Sequence, residues 1–351
     1  MKLKAAVIGL GRMGAEPSVR MQGQVPDGWL PISHAEAIIS LPQLQLVAIC
    51  DTDSNKVNRF TAHYNIEKGY TDYKELIDKE RPEFLCIATR TEGRYELIKH
   101  ACEDGVKIIY VEKPLCRTMP ECDAILDLTK HYNITLGYGV NRRYHALYEE
   151  AKRIIQSGEL GELKEIVIEH DYTNLFWSHP HTTDLILYFA GNTDLDFVQG
   201  HCHFSSPYQS TDTFIDDDPL VDFAFFKFKN GLSAILTRAA GYNVRLACSK
   251  GILVINGNGE YIEIYTGQYY FSHREVRTIS IAQSATQRVF NRLLQACETG
   301  SSGPISAMEI KTGLQMLYAV VYSSLREGKR ISLTDIPADF AISGRVGNLY
   351  P

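Results

Sequence analysis

No uninterrupted apolar run in this sequence approaches the roughly 18 residues of a membrane span, so no helix is expected to cross a bilayer. A basic excess is missing too: 36 lysines and arginines stand against 42 aspartates and glutamates, a formal charge of -6. Nucleic-acid and anionic-membrane partners call for a basic face, so neither is expected. An anionic small substrate needs only a few local cations and stays open. The eight cysteines (50, 86, 102, 116, 122, 202, 248 and 297) contain no Cys-x-x-Cys pair. Most fall inside apolar segments, as reduced core thiols do, so a cytoplasmic chain is expected over a disulfide framework. The N-terminal MKLKAAVIGLGRMG starts basic, but its apolar run stops at glycines and Arg12. It reads as a buried strand and not as a signal peptide.

What is present suits a folded chain: 44% hydrophobic and 22% charged residues, over 351 residues that suffice for two cores. Up to about residue 139, apolar runs alternate with helix-like segments: AAVIGL (5–10), LQLVAICD (44–51), EFLCIAT (83–89), KIIYVEK (107–113) and ITLGYG (134–139). Continuous apolar runs predict strands covered on both faces, as in a parallel sheet. Ser33 with Glu36, and Thr118 with Glu121, have capping-box spacing and predict helix starts. Residues 1–139 are therefore expected to form a doubly wound α/β domain.

After Gly139 the pattern changes with no evident linker. The helix RYHALYEEAKRIIQSG ends at Gly158, and short strands follow, with further helices after His181 and at 284–299 and 306–327. Asn230-Gly231 joins two apolar-rich runs and predicts a type I′ hairpin turn. Residues 140–351 are expected to form an α+β domain on an open, mostly antiparallel sheet. Asp216-Asp217-Asp218 reads as a solvated turn.

Gly9-x-Gly11-x-x-Gly14 directly follows the first strand. The first glycine permits a tight turn, the second lets backbone approach a pyrophosphate, and the third allows close packing. Asp51 ends the second strand, where a carboxylate accepts both ribose hydroxyls and repels a 2′-phosphate. Thr52 and Asp53 bring no cation for that phosphate, so NAD is expected over NADP. The acidic residue usually follows the glycines by about 20 residues, yet Asp51 lies 37 beyond Gly14. The excess, residues 15–32, defers the helix to Ser33. It reads either as a cover for cofactor or substrate or as a surface or oligomer-contact insertion.

GLGRMG, Asp51, Ala88-Thr89, Glu112-Lys113-Pro114, Asn141-Arg142-Arg143-Tyr144, His181-x-x-Asp184 with Gly191 beyond, and the closing GKRISL (328–333) stand in one order. In that order they resemble the Gfo/Idh/MocA oxidoreductase family over nearly residues 3 to 333. The resemblance implies a Rossmann domain followed by an open-faced sheet domain. It implies reversible NAD(P)-dependent oxidation of a secondary alcohol on a sugar, cyclitol or sugar derivative. Cofactor contacts are expected from Gly9, Gly11, Arg12, Met13, Gly14, Asp51, Thr89, Glu112, Lys113 and Asn141. Lys113 would hydrogen-bond the reacting oxygen near the nicotinamide, from a cis or otherwise constrained Lys-Pro segment. The chemistry agrees, because hydride loss needs a base for the hydroxyl proton and a cation beside the developing alkoxide.

His179 and His181 admit three readings. A metal site needs three or four convergent ligands. Apart from Asp184, no acidic or cysteine partner lies near them in sequence, and no signal brings His201 and His203 close, so no metal is expected. Helix capping stays open. Acid/base use of His181 is the reading the resemblance implies, with imidazole titrating near neutral pH. Substrate contacts are expected from Arg143, Tyr172, Trp177, His179 and Asp184. Two places depart from the family pattern. Trp177 stands where an aspartate usually pairs with the motif histidine, which puts the usual His–Asp relay in question. Arg90 and Arg94 replace a proline and a histidine, adding positive charge near the cleft unless they pair with Glu92 or Glu96. The resemblance also implies a homodimer or homotetramer through the open sheet face. The alternatives are an NADPH-dependent keto-sugar reductase and an inactive nucleotide-binding regulator.

Overall fold

A computed structural model describes residues 2–205, 210–211, 213–268, 271–301 and 303–344. The chain divides into two units. The first comprises Met1–Cys116, Glu121–Tyr144 and Ala282–Ala307, and the second Arg117–Pro120, His145–Ile281 and Met308–Pro351.

The first unit is built on six parallel strands: β1 (Leu3–Ile8), β2 (Leu44–Cys50), β3 (Lys68–Tyr70), β4 (Phe84–Ile87), β5 (Ile108–Val111) and β6 (Thr135–Tyr138). Their order is β3-β2-β1-β4-β5-β6. Helices α1 (His34–Ser40), α2 (Ser54–Tyr64), α3 (Tyr73–Glu80), α4 (Arg94–Glu103) and α5 (Met119–His131) connect them. The five apolar runs are all strands, and β4 and β5 are buried at every position, as two-sided cover requires. β3 is short and largely exposed, so it carries no apolar run to announce it.

The segment 15–32 leaves a helix that would otherwise run straight on from the glycine turn. The amides of His34 and Ala35 donate to the carbonyls of Met13 (2.7 Å) and Gly14 (3.0 Å). Those bonds use the first amides of α1, so Ser33 caps none of them. Its hydroxyl instead donates to Glu36 (2.9 Å), whose carboxylate also accepts from the Ser18 amide (2.9 Å). The expected capping box is thus a link between the two ends of the excursion. Trp29 is buried in the core of this unit, and the carbonyls of Gly28, Pro31 and Ile32 accept from Ala285, Ser284 and Thr286. Those three residues open α9 (Ala285–Thr299).

The second unit carries helices α6 (Ala146–Ser157), α7 (Leu175–Ser178), α8 (Pro180–Ala190) and α10 (Ala307–Ser324). Its strands are β7 (Leu163–Glu169), β8 (Leu195–His203), β10 (Leu220–Phe228), β11 (Ser233–Thr237), β12 (Val244–Cys248), β13 (Gly251–Asn256), β14 (Tyr261–Thr266) and β15 (His273–Arg277). These eight form one sheet in the order β15-β14-β13-β12-β7-β11-β10-β8, while β9 (Phe214–Ile215) pairs with β16 (Ala341–Ile342). Only the β7–β11 pair within the large sheet is parallel. One sheet face is covered by helix: a Cβ at Gly200 would lie 2.8 Å from Val320, and the Cys202 amide donates to Ser324 (2.9 Å). The β10–β11 turn is not type I′. Gly231 has φ 93° while Asn230 is not in the left-handed region, and Phe228 receives the Gly231 amide (3.0 Å) and donates to Leu232 (2.9 Å). This is a three-residue loop ending in a glycine bulge.

Candidate active site

In the six-stranded sheet the strand order reverses between β1 and β4, and ligands of such sheets bind beyond the carboxyl ends at that point. The predicted Gly9–Gly14 turn, Asp51, Thr89, Glu112 and Lys113 all follow strand ends on this edge. The three glycines differ in the way the motif requires. Gly9 has φ 92°, and a Cβ there would lie 2.6 Å from the Ala88 carbonyl carbon. A Cβ at Gly14 would overlap the Gly9 carbonyl oxygen, whereas one at Gly11 meets nothing within 4 Å. Gly9 and Gly14 therefore pack the turn, and Gly11 keeps its outer side clear, as a bound pyrophosphate would need.

Gly11→Ala is expected to keep the melting temperature of the parent while weakening NAD binding roughly ten- to a hundredfold, the effect of about 1–3 kcal/mol of crowding. Gly14→Ala should lower the melting temperature itself. Parallel thermal melts and NAD titrations check both, and equal behaviour of the two variants would defeat the assignment.

Asp51 is largely buried, and its carboxylate accepts from the amides of Leu10 (2.7 Å) and Asp53 (3.0 Å). It thereby braces the glycine turn, and each oxygen keeps a lone pair for a ribose hydroxyl. Lys56, one turn into α2, places its ammonium 3.8 Å from the same carboxylate. Sequence reasoning weighed only Thr52 and Asp53 and did not reach this cation.

The Lys113–Pro114 bond is cis, and the residues around it are tied down from two sides. The buried Glu112 carboxylate lies 3.0 Å from Nε2 of His34, a fully buried ring packed edge-on to Tyr110 and Phe290. Gly139 leaves room for it, since a Cβ there would lie 2.7 Å from Glu112 Oε2. From the other side comes Arg94, 1% exposed. Its Nη1 lies within hydrogen-bond distance of the carbonyls of Glu112 (2.6 Å), Pro114 and Leu115 (3.3 Å), and its Nη2 donates to that of Thr89. Burial lowers the Arg94 pKa to about 10, with Glu112 opposing the shift. The expectation that Arg94 adds charge to the cleft, or pairs with Glu92 or Glu96, is corrected: its fork is spent on main-chain carbonyls. His34 is 78 residues from Glu112, and no sequence signal linked them.

Asn141 and Arg143 sit in the 3-10 turn Asn141–Tyr144 and are buried. Asn141 Oδ1 accepts from the Tyr110 hydroxyl, and its Nδ2 donates to Thr286 (3.3 Å). Arg12 and Met13 lie within the glycine turn, where the Met13 carbonyl receives the His34 amide.

In the second unit the predicted residues follow β7. The stretch 173–175 runs beside the start of β10, with Leu175 donating to Pro219 (2.9 Å) and Val221 to Thr173 (3.0 Å). His179 joins α7 to α8 and is 1% exposed. Its Nε2 lies 3.2 Å from the Thr173 hydroxyl and its Nδ1 3.1 Å from that of Thr182, which is 3.3 Å from His170 Nδ1. Both ring nitrogens thus face hydroxyls of the same unit. His181, in the first turn of α8, is partly exposed, and Asp184, one turn on, is buried. Trp177 is 40% exposed. The solvated turn expected at 216–218 is corrected. Asp217 and Asp218 are buried, because their carboxylates accept from the amides of Ser205 (2.6 Å) and Phe176 (2.8 Å). The second of these caps α7 from across the chain.

All eight cysteines are free, and seven are buried. Burial raises the thiols of Cys50 and Cys102 to about 12. No helix among the described residues is long and apolar enough to cross a membrane.

Residues 3–140 match a family model described as an oxidoreductase family with an NAD-binding Rossmann fold. The chain is 26% identical over 160 residues to a myo-inositol 2-dehydrogenase of Thermotoga maritima. It is 29% identical over 162 residues to a scyllo-inositol 2-dehydrogenase (NAD(+)) of Bacillus subtilis. Each match takes in 46% of this chain and spans 42% of the relative. A solved myo-inositol 2-dehydrogenase from Lactobacillus plantarum superposes with a TM-score of 0.69 at 22% identity, covering 94% of this chain and 99% of that one. At this identity the likeness is one of fold. Over residues 3–140, where the family model matches and the glycine turn lies, the chain is similar to the Gfo/Idh/MocA oxidoreductase family.

Proposed function

We propose that the chain is an NAD-dependent oxidoreductase acting on a secondary alcohol, or the matching ketone, of a sugar or cyclitol. The observation that carries this reading is the edge of the six-stranded sheet, where Gly11 leaves the turn open, Asp51 ends β2 and Lys113 follows β5. The names of the two curated relatives support the substrate class. Lys113 donates to the alcohol oxygen and steadies its developing negative charge. His181 takes the hydroxyl proton, with Asp184 as its helical neighbour. NAD, which the Gly9–Gly14 turn and Asp51 would hold, would supply the two-electron acceptor that turns the alcohol into a carbonyl. Tyr172, Trp177 and Arg143 contact the substrate in this reading, and His179 holds the start of the His181 helix through Thr173 and Thr182.

NAD is preferred because Asp51 presents a carboxylate to the ribose hydroxyls. Two charge-assisted hydrogen bonds are at stake, so Asp51→Asn should weaken NAD binding roughly ten- to a hundredfold and narrow the preference over NADP. Fluorescence titration with both cofactors reads this, and an initial preference for NADPH would remove the assignment. A panel of polyols and keto-sugars then tests the reaction; tight nicotinamide binding with no turnover on any of them would favour a regulator. Self-association through the open face of the eight-stranded sheet, where Phe223 is 44% exposed, belongs to the same proposal.

A further inference from the structure

The open face of the second unit's sheet carries a cluster that the proposed reaction does not use. His201 and His203 are two apart on β8, and side chains at that spacing share one face. Opposite them, the β10–β8 register slips between Val221 and Phe223. A β-bulge of this kind inserts one residue and re-aims side chains. Here Val221 stays buried, while both Asp222 and Phe223 come out on the histidine side. Without the slip, strict alternation would send Asp222 or Phe223 to the opposite face.

The result is a convergent donor set. Asp222 Oδ2 lies 3.4 Å from His201 Nδ1 and 3.8 Å from His203 Nε2. Ligand atoms of the three residues all fall within 4.8 Å of one another. Donors bound at 2.0–2.1 Å to a tetrahedral ion stand about 3.4 Å apart, so little movement is needed to close on a metal. The other carboxylate oxygen, Oδ1, is held by Arg238 Nη1 at 2.9 Å. That pairing orients the carboxylate from outside, as outer-shell partners of metal ligands do, and leaves Oδ2 to the histidines. The Tyr172 ring lies edge-on to His203 (5.7 Å), and Phe223 stacks on His201 (6.3 Å), so both imidazoles are flanked.

We propose that His201, His203 and Asp222 form a binding site for a divalent transition metal of the zinc type. Two imidazole nitrogens and one carboxylate oxygen suit Zn²⁺ and its neighbours better than the oxygen-seeking Mg²⁺ or Ca²⁺. Three protein donors leave the remaining position to water, as in open zinc sites.

Isothermal titration of Zn²⁺ into the full chain, free of any purification tag, tests the site. One ion per chain is expected, with a Kd of roughly micromolar order, weaker than a closed four-ligand structural site. His201→Ala, His203→Ala and Asp222→Ala should each weaken binding by more than about tenfold, the least that even a lost outer-shell partner costs. Mg²⁺ should give no comparable heat. All three side chains are at least partly exposed, so the variants should keep the parent's circular dichroism and NAD titration, which separates this test from that of the proposed reaction. Zinc binding unchanged in all three variants, or saturating only at millimolar concentration in the parent, overturns the proposal.

Discussion

Lys113→Met is expected to lower kcat by about a thousandfold or more while leaving NAD affinity within a few-fold of the parent. The side chain is nearly isosteric, so the change removes the cation and its donors with little loss of packing. The residues around Lys113 have ties of their own. Glu112 is fixed by buried His34, and the carbonyls before and after the cis bond are gathered by Arg94. His181→Ala should cost about a hundred- to ten-thousandfold in kcat, the usual span for a positioned acid/base group. Steady-state kinetics on a polyol that turns over, together with NAD titration of each variant, checks both. Near-normal turnover by His181→Ala with bound NAD would remove it as the proton carrier.

The second large effect falls on stability. Arg94→Leu is expected to destabilise the first unit by about 3–5 kcal/mol, the usual cost of breaking a buried charged network. The leucine fills part of the volume, but four main-chain carbonyls lose their donor, and each unsatisfied buried acceptor costs about 1–3 kcal/mol. These costs are not additive, since the carbonyls can relax together. Arg94→Lys should recover only part of the loss, because an ammonium is a point donor and cannot span the Thr89 and Glu112–Leu115 carbonyls at once. Trp29 is buried in the core of this unit, and the other tryptophan, Trp177, is partly exposed in the second. Urea unfolding followed by fluorescence in a Trp177→Phe background therefore reports the first unit. A loss below about 1 kcal/mol, the worth of a single ordinary hydrogen bond, would mean that Arg94 does not hold the segment around Lys113.

Much of the fold was legible because it depends on local signals. Continuous apolar runs identify strands covered on both faces, and Gly158 and Gly191 end α6 and α8 in the left-handed conformation that glycine favours. The glycine motif was legible for the same reason, since all its parts lie within six residues. β3 escaped because a short exposed edge strand buries too little to leave a pattern. The Asn230-Gly231 pair located a turn correctly but not its type, which depends on how the flanking strands pair.

Residue chemistry, without the fold, determined the bare glycine turn after β1 and the acid at the end of β2, on which the proposed nicotinamide site rests. It did not determine what the polar residues between those points do. Arg94 read as a cleft charge and became a clamp on carbonyls, and Asp217 and Asp218 read as solvated and became acceptors for distant amides. His34 had no assigned role and pairs with Glu112. Asp222 was an ordinary strand residue until a bulge turned it toward two histidines. A polar side chain takes its role from the donors and acceptors within about 3 Å of it, and those come from segments tens of residues away. Apolar periodicity is written along the chain, whereas hydrogen-bond partners exist only once the chain has folded.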